Sequence, residues 1–537
     1  IRISARRPKS FRHTRNHMTI DIAALQKQAE RALQQGDANT AVRNAREILA
    51  AAPEYAPAHL LLSNIAMFGR KMRLATRDAM RAADVMHRQP APLTAAIALR
   101  LISIGEYGRA YDEIRAVDLE RPFPPSILFD FSQQLTLLEQ HELALRFLDV
   151  VEKRGGETFS TAYFRGNAMK FMGHMEAAHV AFERSIALKP DYVHSHWALA
   201  FLGQSAGSAQ RVERIRALID HGSIPDRDRC YLDYALYREL ELLGDDEAAW
   251  AALAQGCLAK RRTIQHDAAA ESALFDQIIA RFPKVPPAFA TTEGAATPIF
   301  IVGMPRTGTT LLERILGNSP AIALGGELND FRMQYKWVAD YYSPGFFDAQ
   351  SLARADSIDY ALLGRRYLDH VKWRAPGARR FTDKNPGNFQ MIGAILKALP
   401  QAKIIHLCRD PADACFSNLK ELFAANAYSY SYDFGELAAH HRQYTRLMAH
   451  WHAIAPGRIL DVRYEELVSD PEVQTEQVMR YLGLPFRPEQ IRIEDSSQIV
   501  STASSAQVRE PIHRRNIGGW QRYEAKLQPL IDALGAR

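Results

Sequence analysis

The stretch Pro298-Ile-Phe-Ile-Val-Gly303-Met-Pro-Arg306-Thr-Gly308-Thr-Thr310-Leu-Leu-Glu-Arg-Ile-Leu316 constrains this chain more than any other. Four apolar residues, Ile299 to Val302, bounded by Pro298 and Gly303, predict a buried strand. Leu311, Leu312, Ile315 and Leu316 fall on one face of a helix that begins at Thr309. A strand, a tight turn and a helix N-terminus leave consecutive backbone N–H groups and a helix dipole facing the same point, which suits an anion. The spacing Gly303-x-x-x-x-Gly308 is that of a P-loop, yet Thr309 stands where a nucleoside triphosphatase carries the lysine that reaches the β/γ-phosphates. Arg306, inside the loop, is a fixed cation suited to bidentate oxyanion contact. The loop therefore reads as a cradle for an anionic nucleotide held without a P-loop lysine. The bland alternative is a Gly-Pro turn that binds nothing.

Downstream the pattern alternates. Strand-like Arg380-Phe-Thr382 ends at Asp383-Lys384-Asn-Pro386, strand Lys403–Leu407 ends at Cys408-Arg409-Asp410-Pro411, and strand Ile459–Arg463 ends at Tyr464. Helical segments separate them, over Met391–Leu399, Ala412–Phe423 and Phe434–Ala453. Such alternation predicts an open parallel sheet with helices on both faces. Ligands of such sheets sit beyond the carboxyl ends of the strands. Arg306, Glu327, Lys384, Arg409 and Tyr464 all follow predicted strands or short apolar pieces, so they are expected to converge on one crevice.

Upstream, from about Ile20 to Ala280, the chain is helical, rich in Ala and Leu and poor in strand signals. A small or polar residue between two helices recurs at Gly36, Gly69, Gly105, Gln140 and Gly173, in steps of 33, 36, 35 and 33 residues, and again at Gly207 and Gly244. The pattern resembles the tetratricopeptide repeat, about 34 residues per helix pair. The unit with Ala168, Gly173, Ala177, Phe182 and Pro190 matches best; those near Gln140 and Gly207 are degenerate. Six to seven such units predict a curved solenoid with a concave face for a partner. The alternative is a helical scaffold that only supports the C-terminal half. Residues 282–297, rich in Pro, Gly, Ala and Thr, predict a linker between a repeat domain (20–281) and a second domain (298–537). Residues 1–19 are expected to be a disordered extension.

At 537 residues with 47% hydrophobic and 24% charged content, the chain has the composition of a globular protein of two or three domains. Its net charge of +6 is too weak to argue for nucleic acid. Cys230, Cys257, Cys408 and Cys415 lack CxxC spacing, which argues against a disulfide framework or zinc site and for a reducing, cytoplasmic setting. No apolar run reaches the roughly 18 residues of a transmembrane helix, so no membrane span is expected.

Taken together, Gly303–Thr310, Gly326-Glu327, Asp383-Lys384-Asn-Pro386, Arg409-Asp-Pro-Ala-Asp-Ala-Cys-Phe-Ser417 and Arg463-Tyr464-Glu-Glu-Leu-Val resemble a sulfotransferase that uses 3′-phosphoadenosine-5′-phosphosulfate (PAPS). Ser504-Ser-Ala-Gln507-Val and Asn516-Ile-Gly-Gly-Trp520 add to the likeness. Within that superfamily the chain is similar to the tyrosylprotein sulfotransferases and to bacterial proteins joining tetratricopeptide repeats to a sulfotransferase domain. The fold implied is an α-solenoid followed by a P-loop-type α/β domain. The resemblance implies that Arg306, Thr307, Gly308, Thr309 and Thr310 hold the 5′-phosphosulfate, Arg409 and Ser417 the 3′-phosphate, and that Tyr464 lines the adenosine pocket. It further implies Glu327 as base, Lys384 on the leaving phosphate and Ser504 on the sulfuryl group, with Ser501 and Ser505 competing for that register. No metal is expected, since PAPS lacks the β/γ-phosphates that Mg²⁺ bridges in ATP.

The acceptor implied is a hydroxyl on a peptide, sugar or small molecule. The competing readings are a P-loop kinase, against which the missing lysine counts, and a repeat scaffold carrying a catalytically silent nucleotide-binding domain. His406, inside an apolar strand, is expected to be a satisfied core histidine. His440 and His441 are expected on a helix surface, and Tyr335, Trp337, Tyr341 and Tyr342 in the core.

Overall fold

The computed structural model describes residues 21–222, 224–287, 296–495 and 510–535. The expected extension 1–19, half of the expected linker (288–295), and Ser504 with its rivals Ser501 and Ser505 lie outside the described residues.

Helices pair antiparallel from Ile22–Gln34 with Ala38–Ala51 through Asp226–Leu243 with Asp246–Thr263, and Ala268–Arg281 follows them. Alanines at the crossings let these helices approach closely: Ala29, Ala45, Ala75, Ala79, Ala98 and Ala144 are all buried. Asp21, Asp37, Asp245 and Asp267 accept a backbone N–H at the first turn of their helices, which satisfies one otherwise orphaned donor each. The turn inside each pair carries left-handed backbone at a recurring position: Gly36, Arg70, Gly105, Glu139, Gly173, Gly207 and Gly244, the turn at Gly207 having a second such residue in Gly203. This corrects the sequence register at two units. Gly69 and Gln140 have ordinary negative φ (−76° and −97°), and the neighbouring Arg70 and Glu139 take the left-handed slot instead. A glycine beside the turn misled the sequence reading at Arg70, and the absence of any glycine did so at Glu139.

Strands β1 (Thr297–Gly303), β2 (Arg380–Lys384), β3 (Lys403–Cys408) and β4 (Ile459–Arg463) form a parallel sheet in the order β2-β1-β3-β4. Alternation along the strands covers both faces. Phe300, Val302 and Ile404 pack with Tyr367, Leu396 and Trp451 on one side. Ile299, Ile301, Ile405 and Leu407 pack with Leu312, Ile315 and Met479 on the other. The first of these cores also contains Tyr234, Leu253, Phe275 and Phe282, so repeat helices and sheet share one apolar interior. Phe282, where the linker was expected to start, is fully buried against Gly393 and Trp451.

Nearer the N-terminus, the repeat turns grip the segment between Glu327 and β2. Arg70 Nη1 donates to Tyr341 Oη at 2.6 Å, and Arg73 N donates to Asp340 Oδ1 at 2.8 Å. Gly105 leaves no room for a side chain, since a Cβ there would lie 2.5 Å from Met333 Cβ.

The histidines divide. His406 is a core residue, its Nδ1 2.8 Å from Asp461 Oδ1 and its Nε2 bonded to Tyr444. His440 is not on the surface as expected. It is buried, stacked on Tyr430 with ring centroids 3.5 Å apart, and held by Glu271 at 3.0 Å. Burial also depresses the His441 imidazole, to about 4. No helix among the described residues is long and apolar enough to cross a membrane.

Candidate active site

The loop after β1 is built by close approach. A Cβ on Gly303 would lie 2.7 Å from the Leu407 carbonyl oxygen, and one on Gly308 would lie 2.6 Å from Tyr464 Cδ2. Gly308 has φ +102°, a further reason for glycine there. Arg306 also takes the left-handed region, φ 69°, which is strained for a residue with a side chain. Thr307 turns inward and donates to the Met304 carbonyl at 2.8 Å. Thr309 and Thr310 open the helix Thr309–Gly317 and face a cavity of about 440 Å³.

Arg409, at the end of β3, is tied to that loop: its Nη1 donates to the Arg306 carbonyl at 3.0 Å. Its guanidinium lies 4.7 Å from the centre of the Tyr464 ring. Asp410 does not pair with it. Asp410 instead caps the helix Pro411–Leu419, accepting from Asp413 N at 2.9 Å. Asp413 in turn accepts from Gly518 N at 2.7 Å, which pins the Asn516-Ile-Gly-Gly-Trp520 segment over Arg409. Arg306, Arg409, Ser417 and Tyr464 all line the one cavity, and so does Glu327.

Lys384 is placed differently. It is fully buried at the end of β2 and meets the cavity through Glu327, whose Oε1 it holds at 2.6 Å. Burial works against its positive charge, but Glu327 and Glu313 outweigh it and hold the ammonium above its ordinary range. Glu313 was not singled out by the sequence. It is buried on the helix after the loop, where it accepts from Thr382 Oγ1 at 2.7 Å and Gly326 N at 3.2 Å, and burial raises its carboxyl. Its signal is legible in hindsight: Glu313-Arg314 are charges inside an otherwise apolar, buried helix.

Two further charged groups were missed. Glu421, buried, lies 3.7 Å from Arg306, and its carboxyl is pushed up by burial against the pull of Arg306 and Lys170. Lys170, with Phe171 and Trp197, comes from the repeat helices and walls the same cavity. Burial pushes its ammonium down to about 8, with Glu421 opposing. Nothing in the sequence marks Lys170, because it ends an ordinary helix just ahead of the Gly173 turn. Phe423 and Tyr428 add aromatic wall on the side of Glu327.

A separate group, His406, His452 and Asp461, has donor atoms within 4.8 Å of one another. Asp461 Oδ1 lies 2.8 and 3.0 Å from the two imidazoles, so hydrogen bonds already join all three and clamp β3 to β4 and to the helix Phe434–Ile454.

Residues 298–488, which span the loop, Glu327, Lys384, Arg409 and Tyr464, match the model of the sulfotransferase family. These residues form a sulfotransferase-family domain. The chain is 28% identical over 343 residues to an uncharacterized protein of Aquifex aeolicus (strain VF5), covering 60% of this chain and 44% of that one. It is 21% identical over 267 residues to the protein-tyrosine sulfotransferase of Drosophila melanogaster, covering 44% and 51%. The chain thus spans about half the length of these relatives. Among solved structures, the sulfotransferase domain from the curacin biosynthetic pathway aligns with 18% identity and a TM-score of 0.31, covering 45% of this chain and 98% of that one. In the present chain the sulfotransferase-family domain shares its interior with helical repeats of the tetratricopeptide type.

Proposed function

We propose that this protein transfers the sulfuryl group of PAPS to an acceptor hydroxyl. The observation that carries the reading is the single cavity onto which Arg306, Arg409, Ser417 and Glu327 open, from three separate stretches of the sequence. Two arginines, a helix N-terminus and glycines that admit close backbone approach suit a nucleotide with anionic groups at both ends. Arg409 Nε, buried and without a hydrogen-bond partner among the described residues, fits a 3′-phosphate contact.

In the proposed reaction the acceptor oxygen attacks sulfur in line. The S–O bond to the nucleotide's phosphate breaks, and its electron pair stays on that phosphate, giving adenosine 3′,5′-bisphosphate and a sulfate ester. Glu327 takes the hydroxyl proton. Protonation ends its hold on Lys384 as negative charge appears on the leaving phosphate, so the ammonium is released to the new anion. Arg306 and the N–H groups that open the following helix stabilise the transferring group. Ser504 would complete that shell. The aromatic wall of Phe171, Trp197, Phe423 and Tyr428 supports a flat or apolar acceptor, a tyrosine side chain included. Four unpaired cysteines support a reducing compartment.

The test is turnover of radiolabelled PAPS with a mixed panel of phenolic, sugar and lipid acceptors, comparing wild type with Lys384→Ala. Retention on immobilised adenosine 3′,5′-bisphosphate without Mg²⁺ is expected. A chain that needs Mg²⁺ and ATP for retention is a kinase-like enzyme, and one that is retained without any turnover is a silent scaffold.

A further inference from the structure

We infer that Glu139 is a positioning residue for the Glu327–Lys384 pair, so that the fourth repeat turn is a working part of the catalytic centre. The inference rests on the sulfuryl-transfer reading and deepens it.

The turn slot itself is the first observation. Five of the seven left-handed slots hold glycine, and only Arg70 and Glu139 carry side chains there. L-residues with a Cβ are disfavoured in this conformation, so a glutamate at this slot needs a compensating contact. Both exceptions reach into the C-terminal half: Arg70 bonds Tyr341, and Glu139 Oε2 takes Arg374 Nη2 at 2.9 Å.

The second observation is where the carboxylate lands. A Cβ on Gly326 would sit 3.0 Å from Glu139 Oε2, so the carboxylate is wedged against that glycine. Gly326 is also held by Glu313 Oε1 on its N–H (3.2 Å) and by Lys384 N on its carbonyl (2.9 Å). Glu327 is the next residue. With Gly326 fixed from three sides, the direction in which Glu327 leaves the backbone is fixed as well.

The charged groups facing Glu139 are Arg374, Lys384, Glu327 and Glu313. Burial raises its carboxyl to about 7, against the pull of Arg374 and Lys384, with Glu327 and Glu313 adding to the rise. Ionised, Glu139 locks onto Arg374 and closes the wedge; protonated, it loosens both contacts. Positioning of the pair is therefore strongest above neutrality.

The test uses the full chain, with Glu139→Gln and Glu139→Gly, assayed for PAPS turnover and for adenosine 3′,5′-bisphosphate affinity. Glu139→Gly places in this slot the residue that most other turns use, so a folded variant is expected even if Glu139→Gln is strained. At roughly pH 8 both variants should lose about 10- to 100-fold in kcat, as removal of supporting contacts around a reactive group commonly does. Affinity for the bisphosphate and KM for PAPS should stay within about twofold of wild type. Near pH 6, where the wild-type carboxyl is itself protonated, the wild-type to Glu139→Gln ratio should fall toward one. A ratio equal at both pH values, or an unchanged kcat in both variants, overturns the inference while wild-type turnover leaves the parent reading standing. A wild type that turns over no PAPS overturns both.

Discussion

Lys384 and Glu327 meet at 2.6 Å with one partner sealed inside and the other facing the cavity: the lysine side chain is 0% exposed and the glutamate side chain 41%. A charge with no water to solvate it depends on that partner. In the proposed reaction the pair is both a structural contact and a reactive group. Lys384→Ala is expected to lower kcat by about 10²–10³, the usual loss when a preorganised charge-stabilising contact is removed. Bisphosphate affinity should change little while Glu327 is ionised, because Glu327 then holds the ammonium at 2.6 Å. Single-turnover rates beside calorimetric titration check this, and a loss confined to binding would count against it.

Arg409 should decide whether the 3′-phosphate is read. Removing a charge-assisted contact leaves its anion without a partner, worth about 1.5–3 kcal/mol, or roughly 10- to 150-fold. Arg409→Ala should bind adenosine 3′,5′-bisphosphate and AMP with nearly equal affinity, whereas wild type should strongly prefer the bisphosphate. A variant that keeps the preference would move the 3′ site elsewhere.

Gly105 and Gly36 occupy the same slot in two repeats but in different surroundings. A Cβ at Gly36 meets nothing within 4 Å, while one at Gly105 strikes Met333. Gly36→Ala should therefore cost only the backbone term, about 1–2 kcal/mol. Gly105→Ala should cost a further ~1–3 kcal/mol for overpacking the contact with the C-terminal half. Denaturant midpoints measure both, and equal losses would mean the contact is soft.

Asp330 supplies a pH-dependent test of stability. Buried at the start of the helix Asp330–Val338, its carboxyl is raised to about 7 by burial, which outweighs His370 and Arg374 and is reinforced by Glu106. The folded form therefore holds the proton where the unfolded chain has lost it. That contribution is fully present below about 3.8 and disappears as pH rises through about 7. Asp330→Asn, which cannot ionise, should gain roughly 2–4 kcal/mol relative to wild type between pH 4 and pH 8. A difference independent of pH would show that the carboxyl ionises freely.

Much of the α/β half could be read directly, because β1, β3 and β4 are short apolar runs ending in polar residues, and parallel sheets place such ends together. The glycine-bounded turn between β1 and the helix Thr309–Gly317 was legible for the same reason. Glu313, Glu421 and Lys170 were not: each is separated from the loop in sequence or hidden in an ordinary helix, and only packing brings them to Arg306 and Lys384. Periodicity gave the repeats but missed their register at Arg70 and Glu139, since glycine is the usual marker of left-handed backbone and neither residue is glycine. His440 was misplaced because helical periodicity cannot foresee a tyrosine and a glutamate arriving from other segments to cover it.

The left-handed slots from Gly36 to Gly207 recur every 34 or 35 residues, and three of them, Arg70, Gly105 and Glu139, engage partners on the C-terminal half. Repeat arrays ordinarily tolerate gain or loss of units, since each contacts only its neighbours. Here the rungs mesh with fixed teeth. Duplicating or deleting a helix pair between Arg70 and Glu139 would shift the carboxylate one rung from Gly326, whereas units added ahead of Gly36 would leave the mesh intact. The array is free to grow outward and locked in count where it meets the C-terminal half.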